Sequence, residues 1–268
     1  MICIKRTIQY KSTKDVIKIK PISDVHWGAK HCDEHAFRKY ISDRDKNTYY
    51  LGIGDLFDFV LAQDTRRFRK SMEKVANWGK DDVVDAMIDE MEEILSPIKD
   101  KIIGLLEGNH CDHIAKWAGT NPMKRLCKRL NVPFLGYSSM INLTLSQNGN
   151  RGRSIIIRAH HGWGGGSRTQ GADLTKFSKD MMHWDADIYI YGHVHRKQFD
   201  SVPRMGVVGS KLYSKPRLLI IAGTFLKTCS DSVDPTYSEA KGYPPTEIGG
   251  VSINIKPNRA WVKYWVEG

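Results

Sequence analysis

The chain has 268 residues, of which 41% are hydrophobic and 26% are charged, and its formal net charge is +11. This length fits one large domain, and the balanced composition excludes a mainly disordered chain. The five cysteines are irregularly spaced and form no Cys-x-x-Cys pair, which disfavours a disulfide framework or a thiolate zinc site and indicates a reducing compartment.

The sequence shows neither a secretory signal nor a membrane-spanning segment. The first six residues, Met1 to Arg6, lack the apolar region of a secretory signal, and the apolar stretch near Leu218 is too short to cross a bilayer. We therefore expect a soluble, cytoplasmic protein with no membrane partner. The basic clusters around Arg66, Lys124 and Arg196 favour encounters with polyanions such as nucleic acid, although a solvated basic surface is an equally simple explanation.

Short apolar runs in the first two thirds of the chain predict β-strands. In chain order they cover residues 16–23, 49–53, 102–106, 154–159 and 187–191. Two helices are predicted between them. One covers residues 84–95, where an apolar stripe faces an acidic side and Pro97 follows, and the other opens at Asn121-Pro122 and runs to Leu130.

The last third of the chain is richer in strand signals. Residues 217–221 form an apolar run, and residues 251–255 and 260–266 alternate between apolar and polar side chains. Residues 228–250 have weak periodicity and predict a long loop, or a flap over a site. The whole pattern predicts one α/β domain over residues 1–268, with a mixed sheet or two stacked sheets covered by helices.

Polar motifs follow the predicted strands at their carboxyl ends. Aspartate and histidine supply the oxygen and imidazole donors that bind first-row transition metals, and ligand sites of α/β sheets lie beyond these strand ends. Burying so many such groups together without cations would be costly. The motifs are Asp24-Val25-His26, Gly54-Asp55-Leu56-Phe57-Asp58, Gly108-Asn109-His110, His160-His161 and Gly192-His193-Val194-His195.

This ordered set of motifs, from Asp24 to His195, resembles the calcineurin-like metallophosphoesterase superfamily. The resemblance implies a four-layer sandwich with two central mixed β-sheets flanked by helices, and a dinuclear metal centre. It implies that one cation is held by Asp24, His26 and His195, the other by Asn109, His160 and His193, and that Asp55 bridges them. His161 is then a neighbour of the site or a substitute ligand for His160.

The resemblance also implies roles for two residues that do not bind metal. His110 would contact a phosphate oxygen or protonate the leaving group, and Asp58 would orient its imidazole. Cys111 stands where the family usually has an acidic residue. Asp58 is followed by Phe59-Val60, which disfavours the Ser/Thr protein phosphatases, and it occupies the position of the tyrosine ligand of purple acid phosphatases.

The resemblance implies hydrolysis of phosphate esters by a hydroxide that bridges two divalent cations. The basic residues favour a phosphodiester substrate, which would be DNA or RNA in a nuclease. Manganese is the expected metal, and the same donors accept iron, zinc, nickel or cobalt. One alternative is a phosphomonoesterase or nucleotide pyrophosphohydrolase of the same superfamily. Another is a non-catalytic nucleic-acid-binding or scaffold protein on the same fold. Protein partners are not indicated.

Basic and aromatic residues near the motifs are candidates for substrate binding. A tryptophan could stack on a base and an arginine could bind a phosphate, although core packing is an equally good role for the tryptophans. The candidates are Trp27, Arg66, Arg67, Arg69, Trp163 and Arg168.

Overall fold

The computed structural model describes residues 1–43, 45–60, 82–150, 152–231, 233, 235–257 and 262–268. The predicted substrate residues Arg66, Arg67 and Arg69 lie outside these described residues.

Twelve strands are formed within the described residues. They are β1 (Ile2–Tyr10), β2 (Ile17–Ser23), β3 (Thr48–Gly54), β4 (Ile102–Leu105), β5 (Ser138–Gln147), β6 (Arg153–His160), β7 (Ile188–Tyr191), β8 (Lys197–Val208), β9 (Lys211–Thr224), β10 (Gly249–Gly250), β11 (Ser252–Pro257) and β12 (Val262–Glu267).

Six α-helices connect or follow these strands in the part of the chain that is described. They are α1 (Glu34–Ile41), α2 (Val83–Leu95), α3 (Asn109–Ala118), α4 (Pro122–Leu130), α5 (Ala172–Ser178) and α6 (Tyr237–Lys241). Two short 3₁₀ segments, Ser96–Lys101 and Lys179–Met182, continue α2 and α5. None of the described helices is long and apolar enough to cross a membrane.

The strands form two mixed sheets. The first has the order β1-β5-β6-β7-β9-β10, with β8 paired to β9 as a long hairpin, and the second has the order β12-β11-β2-β3-β4. In the first sheet β6, β7 and β9 are parallel to one another. In the second sheet β2, β3 and β4 are parallel. The carboxyl ends of each parallel group therefore lie at one edge of its sheet.

Alternating side chains divide the interior into three apolar clusters. Ile157 and Ile190 of the first sheet face Ile17 and Leu51 of the second, and this cluster fills the space between the sheets. The remaining two clusters cover the outer faces. Burial on both faces explains why these strands read as nearly continuous apolar runs.

Helices pack on both outer faces. Tyr50 of β3 lies in a cluster with side chains of α1, α2 and α4, and Tyr191 of β7 lies in a cluster with Phe177 of α5. The layers are therefore helices, sheet, sheet and helix. This confirms the predicted class, an α/β sandwich with two central mixed sheets flanked by helices.

The segment 228–250 differs in part from the predicted loop. It contains α6, which begins at a capping box between Thr236 and Glu239, and it ends in β10, which pairs with the end of β9. The hydroxyl of Thr236 also donates to the carbonyl of Thr228 at 2.5 Å. These contacts hold the segment in a defined position beside the carboxyl end of β9.

Candidate metal centre

The first group of donors lies at the ends of β2 and β7. An oxygen of Asp24 is 3.4 Å from Nε2 of His195, and Nε2 of His26 is 3.0 Å from the same imidazole nitrogen. The donor atoms of the three residues lie within 4.8 Å of one another. Asp24 is completely buried, and its carboxylate also accepts hydrogen bonds from the amide of His193 at 3.0 and 3.1 Å.

The second group lies at the ends of β3, β4 and β6. Oδ2 of Asp55 is 3.1 Å from Nε2 of His161. Oδ1 of Asn109 is 3.0 Å from the same nitrogen and 2.8 Å from Nδ1 of His193. The donor atoms of Asp55, His161 and His193 also lie within 4.8 Å of one another.

The structure reverses the expected positions of His160 and His161. His161 is fully buried in the second group, whereas His160 packs edge-on against Trp163 at 5.0 Å, and its Nδ1 accepts the amide of Gly162 at 2.8 Å. The choice of His160 as ligand is therefore corrected. Successive side chains of a strand point to opposite faces, so the side chain after β6 continues the inner row that contains Ala159.

Five candidate ligands have an uncommon backbone conformation. Left-handed φ values are found at Asp24 (48°), His26 (52°), Asp55 (46°), His193 (72°) and His195 (57°), among eight such non-glycine residues in the described chain. This conformation is unfavourable for residues with a Cβ atom, and it clusters at functional sites where the surrounding structure enforces it. Here each strand is turned sharply at its end, which directs the donors into one space.

Two glycines allow the motifs to approach one another closely. A Cβ atom at Gly192 would lie 2.7 Å from Oδ2 of Asp24, and one at Gly108 would overlap the Asp55 carboxylate. Any larger residue at either position would displace an acidic donor. Gly192, which precedes His193, and Gly108, which precedes Asn109, are thus needed for packing at the site.

The hydrogen bonds of two imidazoles fit metal ligation. Nδ1 of His161 lies 2.9 Å from the carbonyl of Ile53, and Nδ1 of His26 lies 2.9 Å from Oδ1 of Asp58. Each Nδ1 must donate to these acceptors, which leaves a lone pair on Nε2 of the neutral ring. The Nε2 atom of His26 faces a nitrogen of His195, and the Nε2 atom of His161 faces an oxygen of Asp55. A proton or a cation has to lie between the two atoms of each pair. Carbonyl and carboxylate acceptors on the far nitrogen are typical of metal-bound histidine.

The charges of the acidic donors depend strongly on their surroundings. Burial raises the pKa of Asp24 to about 6. For Asp55 burial acts in the same direction, but the charges of His161 and His110 outweigh it and hold its pKa well below the usual range. Burial disfavours protonation of His161, yet Asp55 more than compensates and raises its pKa to about 9. Asp55 and His161 therefore form an ion pair at neutral pH in the absence of a cation.

Two other imidazoles of the site, those of His193 and His195, are held neutral. Burial, reinforced by the charge of His161, lowers the pKa of His193 to about 4. Burial and the neighbouring His26 lower the pKa of His195 well below the usual value. A neutral imidazole is the form that binds a metal, so these residues need not release a proton on binding.

Asp58 and His110 lie beside the first group. Oδ1 of Asp58 is 2.9 Å from Nδ1 of His26 but 3.6 Å from Nδ1 of His110. His110 is also held by its backbone amide, which donates to Asp55 at 3.1 Å, and by a contact of Nδ1 with the Asp58 carbonyl. Asp58 therefore contacts both imidazoles, and its shorter contact is with His26 rather than with His110 as predicted.

The structure removes Trp27 from the candidates for base stacking and leaves Trp163 partly exposed, at 37%. Trp27 is 2% exposed and its indole donates to Glu90 at 2.7 Å, so no ligand can reach its ring. Trp163 packs on Phe177 at 4.9 Å, on the outer side of the first sheet. Arg168 is exposed and donates to the carbonyl of Lys241 at 3.4 Å. Burial is thus the reason that Trp27 fails as a substrate contact.

A cavity of about 400 Å³ opens over the donors. Its floor includes Asp55, Asn109, His110, His193 and His195. Its walls come from the glycine-rich turn at residues 164–167 and from residues 226–228, 236–238 and 243–246. This second wall was not predicted beyond the suggestion of a flap, because its sequence has weak periodicity and no metal-binding motif.

No protein-family model matches the sequence, and no curated protein is similar enough to count as a match. Among solved structures, vacuolar protein sorting 29 from Cryptosporidium parvum is 16% identical over 94% of this chain and 96% of that chain, with a TM-score of 0.34. A zinc complex of Vps29 from Entamoeba histolytica is 15% identical over 66% and 88%, with a TM-score of 0.26. A predicted phosphoesterase from Streptococcus pneumoniae is 12% identical over 68% and 91%, with a TM-score of 0.26. These likenesses are too low to carry an argument.

Proposed function

We propose that this protein is a metal-dependent phosphoesterase of the calcineurin-like metallophosphoesterase superfamily that cleaves phosphodiesters, including those of nucleic acid. The observation that carries the proposal is the convergence of buried, hydrogen-bonded imidazole and carboxylate donors beneath a cavity. His26 and His161 each direct an Nε2 atom at a neighbouring donor, at 3.0 Å from His195 and 3.1 Å from Asp55.

In this proposal two divalent cations, with manganese preferred, bind the two donor groups. Asp24, His26 and His195 would hold one, Asn109, His161 and His193 would hold the other, and Asp55 would be a ligand of both. When bound, such cations would supply an activated water, with its pKa lowered toward about 7, and would polarise phosphate oxygens. The two buried carboxylates, Asp24 and Asp55, leave two divalent cations with a net positive charge, which favours an anionic substrate.

His110 is the proposed proton donor to the leaving oxygen. It lines the cavity, and its Nδ1 contacts Asp58, so Nε2 is the nitrogen left for a substrate. Burial lowers the pKa of His110, although Asp55 and Asp58 oppose this. Its imidazolium is therefore a stronger acid than that of an exposed histidine, and it gives up a proton more readily to a leaving alkoxide. Asp58 positions the ring and stabilises its charged form.

Reconstitution of metal-stripped protein tests the proposal. Addition of Mn²⁺ should restore hydrolysis of bis(p-nitrophenyl) phosphate, and Asp55→Ala should abolish both metal binding and hydrolysis. Asp200→Ala is the matched control, since Asp200 is an exposed aspartate of β8 that does not line the cavity. Hydrolysis that is absent with every divalent cation, or that persists in Asp55→Ala, would contradict the proposal.

The walls of the cavity favour a second candidate, the hydrolysis of small phosphorylated molecules. Residues 164–167, 236–238, 243, 244 and 246 line the space above the donors, and about 400 Å³ is within the size range of small-molecule sites. A panel of oligonucleotides, nucleoside monophosphates and dinucleotide pyrophosphates separates a nuclease from a phosphomonoesterase or pyrophosphohydrolase. A protein without bound metal whose nucleic-acid affinity is unchanged in Asp55→Ala would be a non-catalytic binding protein instead.

A further inference from the structure

Two tyrosines line the same cavity as the metal donors. Tyr237 begins α6, and Tyr243 follows the end of that helix. Apart from histidine, they are the aromatic residues among the described residues that line the cavity. Neither tyrosine belongs to a donor group, so the chemistry proposed above gives them no role.

The short helix fixes the backbone positions of the two tyrosines. The hydroxyl of Thr236 accepts the amide of Glu239 at 3.1 Å, and the Glu239 carboxylate accepts the amide of Thr236 at 2.6 Å. The amide of Tyr243 donates to the carbonyl of Ser238 at 2.9 Å. This capped turn holds both tyrosines against the cavity, and Tyr237 still keeps 44% of its surface exposed.

The tyrosine rings do not close on each other. Their centroids are 6.4 Å apart and their planes are tilted by 38°. The stacked pair Phe177 and Tyr191 of the same protein is 4.4 Å apart and within 2° of parallel. The two tyrosine rings therefore do not stack on each other, and the partly exposed Tyr237 keeps surface on which a planar base can stack.

We propose that Tyr237 and Tyr243 form a subsite that binds a nucleobase of the substrate by stacking. The proposal rests on the phosphoesterase function above and specifies its substrate class as a phosphoester of a nucleoside. The phosphate then lies over the metal donors while the base lies against the tyrosines, and both groups are reached from one cavity. Stacking on aromatic side chains suits any base, because each base has a π-face.

Two esters with the same leaving group test the subsite. Thymidine 5′-(p-nitrophenyl phosphate) carries a base, and methyl p-nitrophenyl phosphate does not, but both release p-nitrophenol. Replacing either ring by an aliphatic side chain, in Tyr237→Leu or Tyr243→Leu, should lower kcat/KM for the thymidine ester about 10-fold. The methyl ester should be hydrolysed at the rate of the unmodified protein.

The controls separate stacking from a general structural effect. Tyr237→Phe and Tyr243→Phe keep the ring and should retain activity on the thymidine ester. Tyr213→Leu removes an equally exposed tyrosine, 44% exposed on β9 and outside the cavity lining, and should change neither substrate. Leucine variants that affect both esters equally, or neither, would refute the subsite. If Tyr243→Leu does not fold, the exposed Tyr237 alone decides the result.

A binding measurement distinguishes failure of the subsite from failure of the proposed function. Equilibrium binding of thymidine 5′-monophosphate to the Mn²⁺-loaded protein should weaken about 10-fold in Tyr237→Leu, and binding of inorganic phosphate should not change. If neither ester is hydrolysed, the phosphoesterase proposal fails, and this binding result still decides the base subsite. Equal nucleotide affinity in the variant and the unmodified protein would overturn it.

Discussion

Mn²⁺ binding to the candidate centre should tighten as pH rises from 7 to 8.5, because His161 must lose a proton before it can bind a metal. Its Nδ1 donates to the carbonyl of Ile53, and its protonated Nε2 faces Asp55 at 3.1 Å. A cation that binds between His161 and Asp55 therefore replaces this proton. No such release is expected from His193, which is already neutral at these pH values.

The magnitude follows from the pKa of His161, which is raised from 6.5 to about 9 by Asp55 against the effect of burial. Removing a proton at pH 7 from a group with this pKa costs about 3 kcal/mol, or a factor of about 100 in apparent affinity. The affinity should therefore rise about ninefold from pH 7 to 8 and about 25-fold from pH 7 to 8.5, because the dependence flattens as the pH approaches the pKa.

The same pKa predicts the opposite trend for the stability of the metal-free protein. His161 binds its proton more tightly in the folded state than in the unfolded state, so its contribution is complete below pH 6.5 and is lost as pH rises to about 9. The pKa of Asp24, raised to about 6, affects stability at lower pH. The Tm of metal-free protein should consequently fall between pH 6.5 and 9.

Competition with a fluorescent chelator at constant ionic strength measures the affinity at each pH. His161→Gln should bind Mn²⁺ weakly and with a much shallower dependence on pH. His160→Gln is the matched control, because His160 packs against Tyr137 and Trp163 outside both donor groups, and it should keep the steep dependence. An affinity of the unmodified protein that is constant from pH 7 to 8.5, or loss of binding in His160→Gln, would refute the reasoning.

Three further changes test the roles of individual residues. His110→Ala should retain two equivalents of metal but lose activity by a factor of about 10² to 10⁴; elemental analysis and steady-state rates check this, and an emptied site would show that His110 is a ligand. Asp58→Asn should weaken metal binding about 10- to 100-fold, because Oδ1 of Asp58 orients the His26 imidazole from 2.9 Å. Titration with Mn²⁺ measures this, and an unchanged affinity would show that Asp58 does not support the ligand. Gly108→Ala should displace the Asp55 carboxylate and lower stability by about 1–3 kcal/mol, which denaturant unfolding measures; a variant with normal stability and metal content would contradict the packing argument.

Local pattern was enough to find most of the elements that carry the site. The apolar runs before Asp24, Asp55 and His193 became β2, β3 and β7 with ends within about two residues of those predicted. Parallel strands bring their carboxyl ends to one edge, so the proximity of the Asp24 and Asp55 motifs followed from their position after β2 and β3, which are neighbours in one sheet. The His193 motif follows β7 of the other sheet, and the stacking of the two sheets brings it to the same place. The amphipathic stripe of α2 and the Asn121 cap of α4 were likewise visible as local signals.

Other elements depended on contacts that no local pattern contains. The hairpin of β8 and β9 has many exposed residues, and α6 has only five residues. A helix this short has little stability by itself, and its position is set by hydrogen bonds from Thr236 and by the pairing of β10 with β9. The cavity wall with Tyr237 therefore emerged only from the folded chain.

The sequence by itself determined which donors stand at strand ends, because strand periodicity and turn residues are local properties. Only the tertiary structure decided which face of β6 is the inner one, and so placed His161 rather than His160 among the donors. Ala159, on the same face of the strand as His161, lies in the core between the sheets. The tertiary structure also buried Trp27 against α2. The physical reason is that burial on both sides of a sheet makes the two faces of a strand similar in composition, so the inner face is chosen by packing between distant parts of the chain.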